Sequence, residues 1–232
     1  MTDCATPRLL PVEEAYQLWA PIYDATPNPL FTLEERHLAP LLLPTPQSDV
    51  VDLGCGTGRW LKRISALRPR SLIGVDNSPA MLEWASSTHC VNARLVPADC
   101  SNTQLATTSA DLILASFLLS YVKDLRKFAR ETARISRPGS LVVFSDVHPA
   151  TTRYGWKRTF RSAQQLIEIK SYKYRIHDLH EAMKASEFEI ESSCEYCFGD
   201  EEKAVFRQAG RQNLFEAVRD LPVLLVVRYR RR

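Results

Sequence analysis

Three of the eight glycines in the 232-residue chain fall within five positions, as Gly54, Gly56 and Gly58. They follow a short apolar run, 49–53, and precede a stretch in which apolar residues recur at helical spacing. Glycine lets the backbone turn tightly, and a ligand can approach it because no Cβ stands in the way. A loop after the first parallel strand is the expected ligand site of an open α/β sheet. The spacing therefore predicts a cofactor-binding loop.

An acidic residue, Asp52, stands just before the first glycine and bears on the kind of cofactor. A dinucleotide site reads G-x-G-x-x-G and places a pyrophosphate on a helix N-terminus, whereas this loop reads G-x-G-x-G. A carboxylate would repel a pyrophosphate but suits a ligand with an ammonium or sulfonium group. The loop therefore favours such a cationic ligand, and a nicotinamide-dependent oxidoreductase stays as a disfavoured alternative.

Two further acidic residues follow later apolar runs. Asp76 ends the run 71–76, and a carboxylate at that place can accept both hydroxyls of a ribose. Asp99 follows the run 91–97, where an acid can accept a hydrogen bond from an adenine amino group. Together they predict a nucleoside next to the glycine loop.

Short apolar runs alternate with helical patterns from residue 49 onward. The runs are rich in Val, Ile and Leu and apolar through their middles, as strands are when a parallel sheet is covered on both faces. Between two of them, Leu125, Phe128 and Ile135 recur at helical spacing. This alternation predicts an α/β fold with a doubly wound sheet. The predicted strands are 49–53, 71–76, 91–97, 111–116, 141–146, 165–170, 188–198 and 222–229, and about seven of them are expected to form the sheet.

The first 48 residues lack this alternation. Apolar residues around Tyr16 recur at helical spacing, and Thr32 with Glu35 forms a capping-box pattern at the start of a second helix. We therefore predict a helical N-terminal cap or lid, 1–48, over a cofactor-binding domain, 49–232.

Composition and charge narrow the class of protein. Apolar residues make up 45% and charged residues 25% of the chain, as in ordinary globular proteins. A net charge of +3 is too small to demand a nucleic-acid partner. No apolar stretch approaches the ~20 residues that span a bilayer, and the start lacks a signal-peptide pattern. We expect a cytoplasmic monomer or homodimer that binds neither nucleic acid nor membrane.

The cysteines form no recognisable metal motif. Cys194 and Cys197 have C-x-x-C spacing, but a zinc site normally needs two such pairs or added histidines. They lie in a strand-like alternation, in which residues three apart face opposite sides. We therefore predict free thiols and no metal site. The other cysteines are Cys4, Cys55, Cys90 and Cys100.

Taken together, the segments Asp-Leu-Gly-Cys-Gly-Thr-Gly (52–58), Gly-Val-Asp-Asn-Ser-Pro-Ala-Met-Leu (74–82) and Ala-Asp-Cys (98–100) resemble the class I S-adenosylmethionine-dependent methyltransferases. The aromatic start, Tyr-Gln-Leu-Trp-Ala-Pro-Ile-Tyr-Asp (16–24), resembles the N-terminal segment of the small-molecule branch of that family. The resemblance covers roughly residues 12–230. It implies S-adenosylmethionine as cofactor and a Rossmann-like sheet of seven mostly parallel strands, with the last strand antiparallel.

The resemblance also implies roles for individual residues. Asp52 would help to hold the amino group of the cofactor, Asp76 would bind its ribose, and Asp99 would flank its adenine. Ser116 and Phe117, which follow the fourth strand, would lie near the sulfonium. The other candidate cofactor-binding residues are Tyr16 and Tyr23 of the lid, Gly54, Cys55, Gly56, Gly58, Asn77, Met81 and Cys100.

The acceptor side is less sharply marked. After the fourth strand, the chain lacks the Asn/Asp-Pro-Pro-aromatic pattern of family members that methylate exocyclic amines of bases or glutamine. After the fifth strand, Asp146 and His148 lie two apart and can face the same side. His148 is the leading candidate for a catalytic base, because imidazole titrates near neutral pH, and Asp146 is the second catalytic candidate. A pocket for a small, partly apolar acceptor is predicted from Trp156, Phe160, Tyr172 and Tyr174.

The predicted activity is transfer of the methyl group of S-adenosylmethionine to an O, N, S or C nucleophile of a small molecule, by in-line displacement. One alternative is an RNA or protein methyltransferase, which the weak net charge disfavours. Another is a non-catalytic, cofactor-binding partner subunit, which an occluded acceptor pocket would support.

Overall fold

A seven-stranded sheet forms the centre of the computed structural model, which describes residues 6–89, 92–163 and 165–232. The strands are β1 (Arg8–Leu10), β2 (Asp49–Leu53), β3 (Ser71–Asp76), β4 (Arg94–Pro97), β5 (Ala110–Ser116), β6 (Ser136–Val147), β7 (Thr159–Ser162), β8 (Gln165–Ile169), β9 (Phe188–Tyr196) and β10 (Leu224–Arg231). The helices are α1 (Val12–Trp19), α2 (Pro29–Leu38), α3 (Arg59–Ser65), α4 (Pro79–Trp84), α5 (Leu125–Ile135), α6 (Ile176–Lys184), α7 (Asp200–Gln208) and α8 (Gln212–Val218).

The strands of the central sheet follow the order β4-β3-β2-β5-β6-β10-β9. The last strand, β10, is antiparallel to both of its neighbours, and the other pairs are parallel. This confirms the predicted Rossmann-like sheet. The bounds of β2 and β3 match the predicted runs, whereas the strand predicted from residue 91 begins at Arg94; Val91 lies outside the described residues.

Successive residues of the inner strands pack into two cores, one on each face of the sheet. Val50 and Leu112 belong to one core, and their neighbours Val51 and Ile113 belong to the other. Helices α2, α3, α7 and α8 contribute to the first core, while α5 and α6 contribute to the second. The sheet is therefore doubly wound, and the carboxyl ends of β2 to β6 share one edge.

The N-terminal part contains a strand as well as helices. Strand β1 pairs in parallel with β8, and β7 pairs antiparallel with β8, in a separate three-stranded sheet. The run 165–170 is therefore a strand outside the main sheet. Helix α2 begins after Asn28, whose side chain accepts a hydrogen bond from the N–H of Leu30 at 3.0 Å. The predicted capping box is wrong, since Thr32 and Glu35 lie inside this helix.

Several predicted features concern the chain as a whole. In the described parts of the chain, no helix combines the length and apolar character that crossing a bilayer requires. Across the same ranges, no three His, Cys, Asp or Glu residues come together as metal ligands.

The predicted boundary between an N-terminal cap and a cofactor-binding domain, at residues 48 and 49, stays a prediction. Free thiols are present at Cys100, Cys194 and Cys197, while Cys4 and Cys90 lie outside the described residues.

Candidate active site

A cavity of about 590 Å³ opens at the carboxyl ends of β2 to β5. Because parallel strands end at one edge, the loops that follow them all reach this cavity. The first residues of α1 and the segment after it close another side of it. Ten of the predicted cofactor-binding residues line it, namely Tyr16, Tyr23, Gly54, Gly56, Asp76, Asn77, Asp99, Cys100, Ser116 and Phe117.

The four other predicted cofactor-binding residues lie outside the cavity lining. Asp52 and Met81 are each only 1% exposed. The side chain of Cys55 is directed towards β3, since a Cβ placed on Gly74 would stand 2.8 Å from its Sγ atom. Gly58 directly precedes α3.

The glycine loop is fixed to the end of β3 through Asp76. The backbone N–H of Gly56 donates to one carboxylate oxygen of Asp76 at 2.8 Å, and the N–H of Ser78 donates to the other at 2.8 Å. Gly56 has a φ of +54°, and nothing lies within 4 Å of the place where a Cβ would stand. Burial raises the pKa of Asp76, and these two N–H groups oppose that rise. Each oxygen keeps a further lone pair for a ligand.

Asp52 carries a buried carboxylate oxygen, Oδ1, that has no hydrogen-bond partner within the described residues. Burial raises its pKa well above the usual range, although the charge of Arg59 opposes the rise. An isolated carboxylate in such a place is costly until a cation pairs with it. The residues beneath the glycine loop therefore fit a ligand that brings an ammonium group.

A buried glutamate, Glu34, joins the N-terminal part to the sheet and was not anticipated from the sequence. Its side chain in α2 is 0% exposed and accepts hydrogen bonds from Arg59, from Trp60 Nε1 at 3.1 Å and from Ser116 Oγ at 2.5 Å. Ser145 Oγ donates to the same carboxylate. The network fixes α2 against α3 and the ends of β5 and β6. No motif marks Glu34, because its partners come together only in the fold.

Phe117 adopts a strained backbone conformation in the wall of the cavity. Its φ is +51°, which is rare for a bulky residue and costs free energy. Its N–H donates to the carbonyl of Ser145 at 2.8 Å, and its ring centroid lies 5.9 Å from that of Phe31. Further aromatic rings continue this wall, with Tyr16 and Tyr121 centroids 5.5 Å apart. Burial raises the pKa of both tyrosines.

A second cavity, of about 430 Å³, lies next to the first. Lys170 and Tyr172 line both of them. Three of the four aromatic residues predicted for an acceptor pocket are present in its wall: Trp156, Tyr172 and Tyr174. Phe160 is instead buried and stacked on Trp19, with ring centroids 4.7 Å apart and planes at 4°.

Asp146 is buried beneath the second cavity and is fully engaged with the protein. It accepts from the N–H and the Oγ of Ser120 at 2.7 and 2.8 Å and from the N–H of Val147 at 2.7 Å. Arg158 forms an ion pair with it. Burial acts against the charge of Arg158, but the carboxylate of Asp146 outweighs this and raises the guanidinium pKa. These contacts favour a positioning role for Asp146 over proton abstraction.

His148 lines the second cavity and does not line the first. Its Nδ1 atom accepts from the N–H of Ala150 at 3.2 Å, and its Nε2 atom lies 3.3 Å from a carboxylate oxygen of Glu195. The Nε2 atom is buried and makes no hydrogen bond with any described residue. The catalytic roles of His148 and Asp146 stay predictions.

Comparison with known proteins places the chain in a family. Residues 29–193 match the model of a family described as methyltransferase domain. A malonyl-[acyl-carrier protein] O-methyltransferase from Pectobacterium atrosepticum is 29% identical over 73% of this chain and 70% of its own length. The corresponding Marinomonas protein is 37% identical over 53% of this chain and 46% of its own length. The chain spans about half or less of the first curated relatives it matches.

Solved structures agree on the fold. An S-adenosylmethionine-dependent methyltransferase from Mesorhizobium loti superposes with a TM-score of 0.64 at 24% identity, over 85% of this chain and 97% of its own. One from Listeria monocytogenes gives a TM-score of 0.66 at 18% identity, over 87% and 99% of the two chains. The chain belongs to the methyltransferase domain family, and its fold is that of solved S-adenosylmethionine-dependent methyltransferases. The prediction of S-adenosylmethionine as cofactor is confirmed at the level of the family.

Proposed function

We propose that the protein transfers the methyl group of S-adenosylmethionine to a small-molecule acceptor that binds in the second cavity. The observation that carries this proposal is the adjacency of two cavities that share Lys170 and Tyr172. The first holds most of the predicted cofactor residues, and the second is lined by aromatic and polar groups at the ends of β5 and β6. An acceptor in the second cavity would have a short path to the first.

Residues that line the first cavity, together with Asp52, which is buried outside its lining, would hold different parts of the cofactor. Asp52 would pair with its ammonium group, Asp76 would accept from its ribose hydroxyls, and Gly56 would let it approach the backbone. When bound, S-adenosylmethionine supplies an electrophilic methyl group on a sulfonium. The contribution of the chain is then to align a nucleophile and to exclude water. The buried ring of Phe117 and the tyrosines of the wall suit the latter role.

The relatives give a starting point for the acceptor. Several are named for O-methylation of a malonyl group on an acyl-carrier protein, so an oxygen nucleophile ranks first among those to be screened. The presence of the second cavity argues against a non-catalytic subunit with an occluded acceptor pocket. Neither cavity gives a reason to prefer RNA or protein as acceptor.

The first experiment is calorimetric titration of the purified protein with S-adenosylmethionine. We expect saturable, one-to-one binding. Transfer of a radiolabelled methyl group is then measured with a panel of carboxylic acids, phenols, amines and thiols. Absence of cofactor binding to folded protein would refute the proposal, and so would cofactor binding with transfer only to RNA or to the amino-acid side chains of a protein.

A further inference from the structure

The two cavities differ in charge. In the second cavity, Lys157 is paired with Glu168 at 2.7 Å, and Arg158 is paired with the buried Asp146. Lys170 and Lys173 form no ion pair within the described residues, so the lining of the second cavity carries two positive charges that no acidic side chain neutralises. The charged residues lining the first cavity are Glu13, Asp76, Asp99, Asp124, Lys123, Lys127 and Lys170, which give it one net negative charge.

Arg158, in the wall of the second cavity, has N–H donors that the protein does not use. Its Nη2 atom bonds to Asp146 and, at 2.9 Å, to Ser120 Oγ. Its Nε and Nη1 atoms make no hydrogen bond with any described residue, and the side chain is 19% exposed. Its Cζ atom lies 6.0 Å from the ring centroids of Phe117 and Tyr121, which line the first cavity. A guanidinium held from one side offers a planar set of N–H donors that matches a carboxylate or a phosphate.

The Tyr174 hydroxyl is buried in the same wall beside Asp146. Burial and the neighbouring Asp146 raise the pKa of Tyr174, so the hydroxyl keeps its proton. That proton is available to Asp146, so the donors left for a ligand in this wall are those of Arg158, Lys170 and Lys173.

We propose that the second cavity recognises an anionic group of the methyl acceptor, a carboxylate or a phosphate, through Arg158, Lys170 and Lys173. This inference rests on the proposed function, since it names the chemical class of the acceptor for that site. Cationic acceptors are rejected here, because like charges brought together in a partly desolvated site repel each other. The acceptor is therefore an acid or a phosphate ester with a partly apolar body that contacts Trp156 and Tyr172.

The test compares probes of similar shape and different charge. Benzoate, phenyl phosphate and the neutral benzamide are titrated by ligand-observed NMR and calorimetry, with and without saturating S-adenosylhomocysteine. We expect at least one anionic probe to bind about tenfold more tightly than benzamide, as one charge-assisted contact would give. The preferred anion distinguishes a carboxylate acceptor from a phosphate acceptor. Equal binding of benzoate, phenyl phosphate and benzamide, or no saturable binding of either anion, would overturn the inference.

Matched variants assign the effect to the cavity. Both lysines are exposed, so the double variant Lys170→Gln/Lys173→Gln is expected to fold and to weaken anion binding about tenfold. The control Lys62→Gln/Lys184→Gln removes the same charge from exposed positions elsewhere and is expected to bind like the wild type. Equal losses in both double variants would indicate a general charge effect and overturn the inference. If S-adenosylhomocysteine fails to bind while the anion preference persists, the proposed function fails and the anion site stands.

Discussion

Two aspartates near the ends of β2 and β3 differ in how their carboxylates are satisfied: Asp76 lines the cofactor cavity, and Asp52 is buried outside its lining. Asp76 satisfies its carboxylate with two backbone N–H groups and so fixes the glycine loop. Asp52 is buried with an oxygen that has no hydrogen-bond partner among the described residues, so ionising it in the fold is unfavourable. The cost is recovered only when a cation pairs with it. Stability and cofactor affinity are therefore opposed at this single residue.

The variant Asp52→Asn tests this opposition. The raised pKa of Asp52 means that ionising it in the fold is unfavourable, so wild-type stability falls as pH rises above the usual carboxyl range. We expect Asp52→Asn to remove this fall and to stabilise the cofactor-free protein by about 2 kcal/mol at neutral pH. Urea denaturation at acid and neutral pH measures it.

The same variant is expected to bind S-adenosylmethionine at least about tenfold more weakly, because the charge that pairs with the ammonium is lost. Calorimetry gives this affinity. A variant that is less stable than the wild type at neutral pH, or that binds the cofactor equally well, would contradict the role assigned to Asp52.

Site residues that belong to a sequence motif were predicted, and those that lie outside any motif were missed. Gly54, Gly56 and Asp76 were predicted because each stands at a strand end, and the parallel topology brings strand ends together. Glu34 was missed because it bonds to Ser116, 82 positions away, and no local pattern records that contact. Arg158 was missed because its proposed role in anion binding depends on N–H donors left without partners, and only the folded structure shows which donors those are.

Helix α2 shows how one buried side chain can fix a whole element. Glu34 accepts from α3 and from the ends of β5 and β6, while the neighbouring Glu35 pairs with Arg63 at the surface. Glu34→Gln leaves the Arg59 charge without its partner, and we expect it to destabilise the protein by about 3 kcal/mol. Urea denaturation is the measurement.

The adjacent variant Glu35→Gln is the control. Both partners of the Glu35–Arg63 ion pair are more than 40% exposed. Removing this pair is therefore expected to lower the free energy of unfolding by less than about 1 kcal/mol. Similar losses for the two variants would show that Glu34 does not anchor the helix.

Helix α5 is fixed by a different acid, Glu131. It accepts from the N–H and Oγ1 of Thr103 at 2.7 and 2.5 Å and from Arg134 at 2.8 Å. Burial acts to raise its pKa, but these bonds outweigh burial and lower the pKa to about 2. The ionised side chain of Glu131 therefore stabilises the fold fully above its unfolded-state pKa of about 4.5. This stabilisation is lost as the pH falls towards the folded-state pKa of about 2.

We expect Glu131→Gln to lower the free energy of unfolding by about 2 kcal/mol at neutral pH and by progressively less in acid. Glu181→Gln, at an exposed position of α6, is expected to change it by less than about 0.5 kcal/mol. Denaturation curves across the acid range provide the comparison. If the difference in free energy of unfolding between the wild type and Glu131→Gln does not become smaller in acid, the ionised carboxylate of Glu131 is not what stabilises the protein.

The elements themselves were predictable where local pattern and tertiary role agree. β2 and β3 match because buried parallel strands are rich in Val, Ile and Leu and are followed or ended by glycine or polar residues. The start of α2 was misplaced because Asn28 followed by Pro29 is a stronger beginning than Thr32, with a side-chain cap and a fixed φ. β1 was missed because three residues have no period, and they are extended only through pairing with β8.

At the scale of the whole molecule, the cofactor cavity depends on parts that lie far apart in the chain. Tyr16 and Tyr23 close it from the N-terminal part, Gly54 and Gly56 from the first loop, and Tyr172 from the segment after β8. A ligand between them links the N-terminal part to the sheet. Binding then stabilises both at once.

Hydrogen exchange with and without S-adenosylhomocysteine tests this linkage. We expect slower exchange in residues 12–23 as well as in 54–58, and no change in the remote strand β9. Protection confined to the glycine loop would show that the N-terminal part does not close on the ligand.

The position of β10 has a consequence for how the protein is made. It lies between β6 and β9, so until residues 224–231 have been synthesised each of those strands lacks a neighbour. A growing chain therefore exposes two open strand edges, which are the features that promote intermolecular pairing. A frameshift that changes only the residues of β10 would leave the sequence of both cavity walls unchanged. It would nevertheless yield aggregated protein, because the edges of β6 and β9 would stay unpaired.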